Sequence, residues 1–134
     1  MSALSTFSVN QVLCIEHDNA FLYSEVIQIA EERSICWVRP LAIKIVHPIT
    51  HDGGIVNHGS GEEHYTLYDL RQSVDLLLPC TLFRPALDTE VLPLIAALGE
   101  AKVQAGCRDL AHQQIRRFTH RLWIERPTVF QRSS

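Results

Sequence analysis

The chain has 134 residues, of which 46% are hydrophobic and 20% charged, and its formal net charge at pH 7 is −3. This composition is typical of a folded globular protein and excludes a disordered or low-complexity chain. The longest apolar run, Val91 to Leu98, is far shorter than the roughly 20 residues of a transmembrane helix, and the first residues lack the pattern of a secretory leader. We therefore expect one domain over residues 1–134, located in the cytoplasm, with no membrane span.

Three strands joined by tight turns are predicted at the start of the chain. The first covers residues 9–16 and ends at His17-Asp18-Asn19, side chains that favour a turn. Alternating apolar residues predict a second strand, and residues 34–45 a third, in which Pro40 should cause a bulge or lie at an open edge. The positions assigned to one face are Phe21, Tyr23, Ile27 and Ile29 in the second strand and Ile35, Trp37, Leu41, Ile43 and Ile45 in the third.

The rest of the predicted sheet follows a long loop. Residues 47–64 contain four Gly and one Pro without periodicity, which predicts a mobile loop between strands three and four. Strands are predicted again at 65–70 and 74–83, with Pro79 at the bend or end of the second. Five short, curved strands favour a small open barrel of the SH3-like type, and a simple curved antiparallel sheet is the alternative.

Two helices are predicted after the sheet, so the fold class is α+β, with the sheet at about 9–83 and the helices at about 88–126. The first helix begins near Asp88-Thr89, which can cap it, and stops near Gly99. The second runs from about 109 to 125 and is ended by Pro127. Its apolar stripe consists of Ala111, Ile115, Phe118 and Leu122. Because both faces of the strands are partly apolar, we expect the helices to cover the outer face of the sheet.

Three stretches resemble a family of small cyanobacterial proteins without an established activity. They are Cys36-Trp37-Val38-Arg39-Pro40-Leu41, Leu67-Tyr68-Asp69-Leu70 leading into Asp75-Leu76-Leu77-Leu78-Pro79, and Phe83-Arg84-Pro85-Ala86-Leu87-Asp88. The resemblance covers roughly residues 10–98. It implies a cyanobacterial cytoplasm and carries no functional residue.

Histidines and cysteines supply candidate metal ligands, but their spacing is not typical of a metal site. The predicted loop contains His47, His51, His58 and His64 together with Asp52, Glu62 and Glu63. These are ligand types that zinc prefers, yet the intervals fit no zinc finger and a glycine-rich loop offers no rigid outer shell. We interpret the segment as a solvated polar loop, with metal binding as the alternative, and expect no cofactor.

The four cysteines make no Cys-x-x-Cys pair, so they are interpreted mostly as small core residues in a reducing compartment. They are Cys14, Cys36, Cys80 and Cys107. A metal ligand or redox thiol among them is the alternative. Ser60 lies near loop histidines, but a flexible loop does not fix a catalytic triad, and we expect no enzyme.

Charge is divided unevenly along the chain. Residues 1–107 hold six basic and thirteen acidic residues, whereas residues 108–134 hold six Arg and two acids. Arg116, Arg117 and Arg121 on the last helix are therefore candidates to bind an acidic protein surface or nucleic-acid phosphates. The alternative is that these arginines pair with the acidic part of the same chain.

Trp37 and Arg39, beside Pro40, are candidates for a peptide-binding groove of the SH3-like type, because aromatic and Arg side chains dominate binding hot spots. A core position for Trp37 is the alternative. The function expected first is a non-catalytic protein-binding or complex-assembly module, an adaptor. A nucleic-acid-binding regulator that uses the Arg-rich helix is the second hypothesis, and a metal-binding or enzymatic domain that uses the His-rich loop is the third.

Overall fold

A computed structural model of the chain describes residues 7–47, 64–100 and 105–127. Within these ranges the fold class is α+β, as predicted. The strands are β1 (Val12–His17), β2 (Ala20–Ala30), β3 (Ile35–Val46), β4 (Tyr65–Asp69), β5 (Leu76–Pro79) and β6 (Arg84–Pro85), and the helices are α1 (Asp88–Glu100) and α2 (Ala105–Glu125). Neither α1 nor α2, as far as they are described, is long and apolar enough to cross a membrane.

The six strands form one antiparallel sheet. Five of them follow the order β4-β3-β2-β1-β6, and β5 pairs with β3. The predicted meander of β1, β2 and β3 is confirmed. Both β4 and β5 pair with β3 on one side, β5 along residues 35–38 and β4 along residues 42–46. No pairing among the described residues joins β6 to β4 or β5, so the sheet is open and does not close into a barrel.

Two bulges invert the side-chain alternation of β2 and β3. Ile27 and Leu41 have no partner in the β2–β3 register, in which Val26 pairs with Val38 and Ser24 with Pro40. The predicted bulge beside Pro40 is therefore confirmed. An unpaired residue shifts every later side chain to the opposite face. For this reason, the prediction that Ile35, Trp37, Leu41, Ile43 and Ile45 share one face is wrong. The prediction that the odd-numbered positions of β2 share one face is wrong for the same reason.

The two helices cover opposite faces of the sheet. On the inner face, α2 packs with its predicted stripe of Ala111, Ile115, Phe118 and Leu122, all buried among side chains of β1, β2, β3 and β5. On the outer face, Leu94 and Leu98 of α1 pack on Cys14, Tyr23 and Ala42. The expectation that the helices cover the outer face is confirmed for α1, which covers part of it, and is wrong for α2, which packs on the inner face.

The strand predicted over residues 74–83 is too long. Proline has no N–H to donate to a ladder, and β5 ends at Pro79. A single 3-10 turn over Cys80–Leu82 follows, and the short strand β6 then pairs with Leu13 and Cys14 of β1, at the other edge of the sheet. Residues 80–83 therefore carry the chain from β5 at one edge of the sheet to β6 at the other.

A charged cluster fixes the start of α1. Glu90 accepts the Leu87 backbone N–H at 2.8 Å, so the capping bond comes from the third residue of the helix and not from Asp88-Thr89. The same carboxylate accepts two bonds from Arg84, each 2.9 Å long, and the Tyr23 hydroxyl at 3.0 Å. The Arg84 guanidinium, with the Leu87 N–H and the Tyr23 hydroxyl, lowers the pKa of Glu90 to about 2.

Candidate functional site

Trp37 lies on the part of the outer face that α1 leaves uncovered. Its side chain is 39% exposed, and the indole Nε1 donates to Asp75 Oδ2 at 2.9 Å. Arg39, two residues further along β3, forms an ion pair with the other oxygen of Asp75 at 3.5 Å between Nε and Oδ1. Asp75 therefore holds both predicted binding residues on one surface. The core interpretation of Trp37 is wrong because the bulge at Leu41 separates its face from that of Ile43.

Exposed aliphatic side chains of the β5 region adjoin Trp37. Leu77 is its direct partner in the β3–β5 register and is 66% exposed. Val74, next to Asp75, is 72% exposed. Together with Trp37 they give this part of the sheet an exposed apolar area.

Val74 and Leu76 of the same segment also border α2, which lies on the inner side of the sheet. A groove of about 250 Å³ is lined by Val74, Leu76, Ile115 and Arg116, together with Ser73, His112 and Thr119. The Arg116 guanidinium makes no hydrogen bond or ion pair with any residue that the structure describes. We call the set Trp37, Arg39, Val74 and Leu77 the β5 surface. The structure thus places two of the five predicted partner-binding residues, Trp37 and Arg39, on this surface, and Arg116 at the groove beside α2.

The other two predicted arginines lie elsewhere, near the β1–β2 turn. Arg117 and Arg121 line a cavity of about 190 Å³ between this turn and α2. Arg121 is paired internally, at 3.4 Å from Asp18 and 3.8 Å from Glu125. The alternative that the helix arginines pair with the chain's own acids therefore holds for Arg121. Arg117 has no such partner in the described ranges.

His17, Asp18 and Glu125 form a potential metal-ligand cluster that the sequence analysis did not identify. Their ligand atoms lie within 4.8 Å of one another, and His17 Nε2 is 2.9 Å from Glu125 Oε1. The Arg121 guanidinium, however, already supplies a cation to both carboxylates. The cluster is therefore electrostatically satisfied by residues of the chain. Its two halves lie 108 residues apart, so only the fold brings them together.

The predicted loop histidines are only partly described. His47 and His64 lie opposite each other at the ends of β3 and β4, where the His47 N–H donates to the His64 carbonyl at 2.8 Å. The His47 ring is hydrogen-bonded to the Thr66 hydroxyl at 2.7 Å. His51 and His58 lie outside the described residues, as do Asp52, Ser60, Glu62 and Glu63.

The described cysteines occupy core positions, as predicted for most of them. Cys14 and Cys36 are fully buried and Cys80 is partly buried, while the side chain of Cys107 lies outside the described part of the chain. Burial raises the pKa of the Cys14 thiol to about 12, and burial with the neighbouring Cys80 does the same for Cys36.

These pKa values predict slow alkylation of both thiols in the native protein, because only the thiolate reacts. At pH 8, iodoacetamide is expected to label Cys14 and Cys36 completely in the urea-unfolded protein. Over the same reaction time, both cysteines should stay unmodified in the native protein. Peptide mapping by mass spectrometry measures the labelling of each cysteine. Equal labelling rates with and without urea would contradict their placement in the two cores.

Comparisons of the chain with protein-family models, with curated protein sequences and with solved structures give no match.

Proposed function

We propose that this protein is a non-catalytic protein-binding module and that the β5 surface receives the partner. The observation that carries the proposal is the arrangement of Trp37 and Arg39 around Asp75 on an uncovered part of the sheet. Trp and Arg are the residue types most enriched in binding hot spots. We also predict that the protein acts as an adaptor in a cyanobacterial cytoplasm. The SH3-like groove and the resemblance to the small cyanobacterial family remain predictions as well.

Preorganisation supports the use of this surface for binding. The hydrogen bond from the indole to Asp75 holds the Trp37 ring, so little rotamer entropy remains to be lost when a partner covers it. The same bond satisfies the indole N–H, and the ring can therefore be buried without an unpaired polar group. Leu77 and Val74 add apolar area that is removed from water when the partner binds.

Charge indicates the chemistry of the partner. Asp75 engages the Trp37 indole and the Nε edge of the Arg39 guanidinium. The Arg39 side chain is also half exposed. An exposed guanidinium group can form charge-assisted hydrogen bonds with a carboxylate of the partner. We therefore propose that the partner contributes a peptide segment with apolar side chains flanked by Asp or Glu.

Selection from a random peptide library displayed on phage tests this function. The wild-type protein is expected to select peptides that combine aliphatic or aromatic residues with an acidic residue. In fluorescence polarisation, Trp37→Ala should weaken the binding of these peptides by tenfold or more. A tenfold loss of affinity corresponds to roughly 1.4 kcal/mol, and truncation of a hot-spot residue typically costs at least that much. The exposed Leu92 of α1, replaced by Ala, is the matched control and should leave affinity unchanged.

Selected peptides that bind the Trp37→Ala and wild-type proteins equally would refute the β5 surface as the binding site. Circular dichroism of each variant shows whether it is folded. Because Trp37 is partly exposed and outside both cores, its replacement should preserve the fold.

Binding of nucleic acid by α2 is the second candidate function. Arg116 and Arg117 both lack partners among the described residues, and phosphate contacts require free cationic groups. The net charge of −3 and the internal pairing of Arg121 favour the protein-binding proposal. A gel-shift assay at low salt separates the two candidates, since the first predicts no retardation of duplex or single-stranded DNA or RNA.

A further inference from the structure

The cavity between the β1–β2 turn and α2 is a second site, separate from the β5 surface. We propose that it binds a small organic anion, a carboxylate or phosphate attached to an apolar body about the size of one aromatic ring. The proposal does not depend on the proposed function, because neither Trp37 nor the segment 74–77 contributes to this cavity.

The size and the floor of the cavity determine the apolar part of the ligand. Its apolar lining, which we call the floor, consists of Ala20, Ile43, Ile45 and Phe118, of which Ile45 is the most exposed. The volume of about 190 Å³ is slightly larger than the roughly 150 Å³ that suffices to hold benzene in an apolar cavity. Apolar side chains in a concave site of this kind favour an apolar ligand body.

One wall of the cavity is rigid. The His17 ring packs edge-on against Phe118, with ring centroids 6.5 Å apart. His17 Nε2 donates to Glu125, because an ionised carboxylate only accepts, and this bond fixes the ring from the side of α2. A wall that is already ordered loses little entropy when a ligand binds.

The polar rim of the cavity determines the charge of the ligand. Arg117 and Arg121 are four residues apart on α2, a spacing that places both on one helix face. The rim carries these two guanidinium groups and a single carboxylate, that of Asp18, with the amides of Asn19 and Gln114 as neutral hydrogen-bonding groups. Glu125 pairs with Arg121 from outside the lining, so among the described rim residues the guanidinium of Arg117 is the uncompensated charge, which favours an anion.

The two arginines have different roles at this rim. Arg121 is held in place by Asp18 and Glu125, at 3.4 and 3.8 Å. The Arg117 side chain is exposed, and its guanidinium has no hydrogen bond or ion pair with a described residue. Arg117 is thus the group that an anion can engage without breaking an existing contact, and a bidentate bond to a carboxylate or phosphate is within its chemistry.

Titration of the 134-residue protein with phenyl phosphate and with benzoate tests the proposal. Two-dimensional amide NMR spectra are expected to show saturable shifts at Asn19, Ala20, Ile43 and Phe118, with a dissociation constant in the millimolar range or tighter. Inorganic phosphate alone and benzyl alcohol alone should each bind at least about tenfold more weakly, because each lacks one half of the proposed ligand. The ratio of the two anion affinities shows which head group the site prefers.

Arg117→Gln is expected to weaken the binding of the preferred anion by about tenfold or more. The matched control is Arg116→Gln, which removes the neighbouring unpaired guanidinium on the same helix but lies at the other groove. This control should bind as the wild-type protein does. No saturable shift with either anion, or equal losses in the two variants, would overturn the proposal.

These outcomes are independent of the peptide-binding experiment. Loss of anion binding in Arg117→Gln with unchanged binding of the selected peptides would support two separate sites. Displacement of the anion by those peptides would overturn the separation of the two sites.

Discussion

Leu122→Ala is expected to lower the free energy of unfolding by about 2–5 kcal/mol, the range observed when a fully buried Leu is truncated to Ala. Leu122 is completely buried between α2 and the inner face of the sheet. Removing its branched end takes apolar contacts from the largest cluster of the protein and leaves a cavity, while the helix propensity of Ala offsets little of this loss. Urea denaturation at pH 7, followed by circular dichroism, measures the change.

Leu110→Ala provides the matched control for this prediction, since it makes the same chemical change on the same helix. Leu110 is 49% exposed, so the expected loss of unfolding free energy is below about 1 kcal/mol. Equal losses for the two variants would show that α2 does not pack on the sheet through the stripe that contains Leu122. The orientation of Arg116 and Arg117 would then also be wrong.

Glu90→Gln is expected to destabilise the protein by about 2 kcal/mol at pH 7, because it weakens charge-assisted bonds to Arg84 while retaining the shape of the side chain. The carboxylate joins α1 to β6 through Arg84 and to β2 through Tyr23. Loss of its charge should therefore weaken the docking of α1 on the outer face.

The loss caused by Glu90→Gln should depend on pH. The pKa of Glu90 falls from 4.5 to about 2 in the folded protein, so the native state binds fewer protons than the unfolded chain between these values. The stabilisation is complete above pH 4.5 and decreases as the pH falls towards 2. The difference in unfolding free energy between wild type and variant should narrow over that interval, as measured by urea denaturation at several pH values.

Glu32→Gln is the control for the pH series, because Glu32 is exposed in a single 3-10 turn and has no described hydrogen-bonding or ion-pair partner. It should leave stability nearly unchanged from pH 7 to pH 3. A gap between wild type and Glu90→Gln that widens as the pH falls would contradict the lowered pKa of Glu90.

Much of the fold follows from local sequence patterns. The 3.6-residue spacing of Ala111, Ile115, Phe118 and Leu122 predicted the buried side of α2, and the structure confirms it. Tight turn signals predicted the order of the first three strands. Local patterns do not fix where an unpaired residue falls, however, and Ile27 shifts the alternation of β2 without any proline to mark it. The predicted assignment of side chains to the two faces of the sheet was therefore wrong in parts of both β2 and β3.

The surfaces were less predictable than the fold because they combine distant segments. Trp37 and Arg39 could be identified as candidates from residue type, but their link to Asp75 depends on the pairing of β3 with β5. The three helix arginines looked equivalent in the sequence. The structure separates them, since Arg121 faces Asp18 and Arg116 faces the groove beside Val74. The His17, Asp18 and Glu125 cluster depends on a contact that no local motif indicates.

Fluorescence of Trp37 tests the central proposal most directly. In a Trp123→Phe variant, Trp37 is the single tryptophan of the chain, because the sequence contains two. Acrylamide should quench its emission in the free protein, and a peptide selected by the wild-type protein should protect it at saturation. Unchanged quenching with saturating peptide would show that the partner binds elsewhere and would contradict the assignment of the β5 surface.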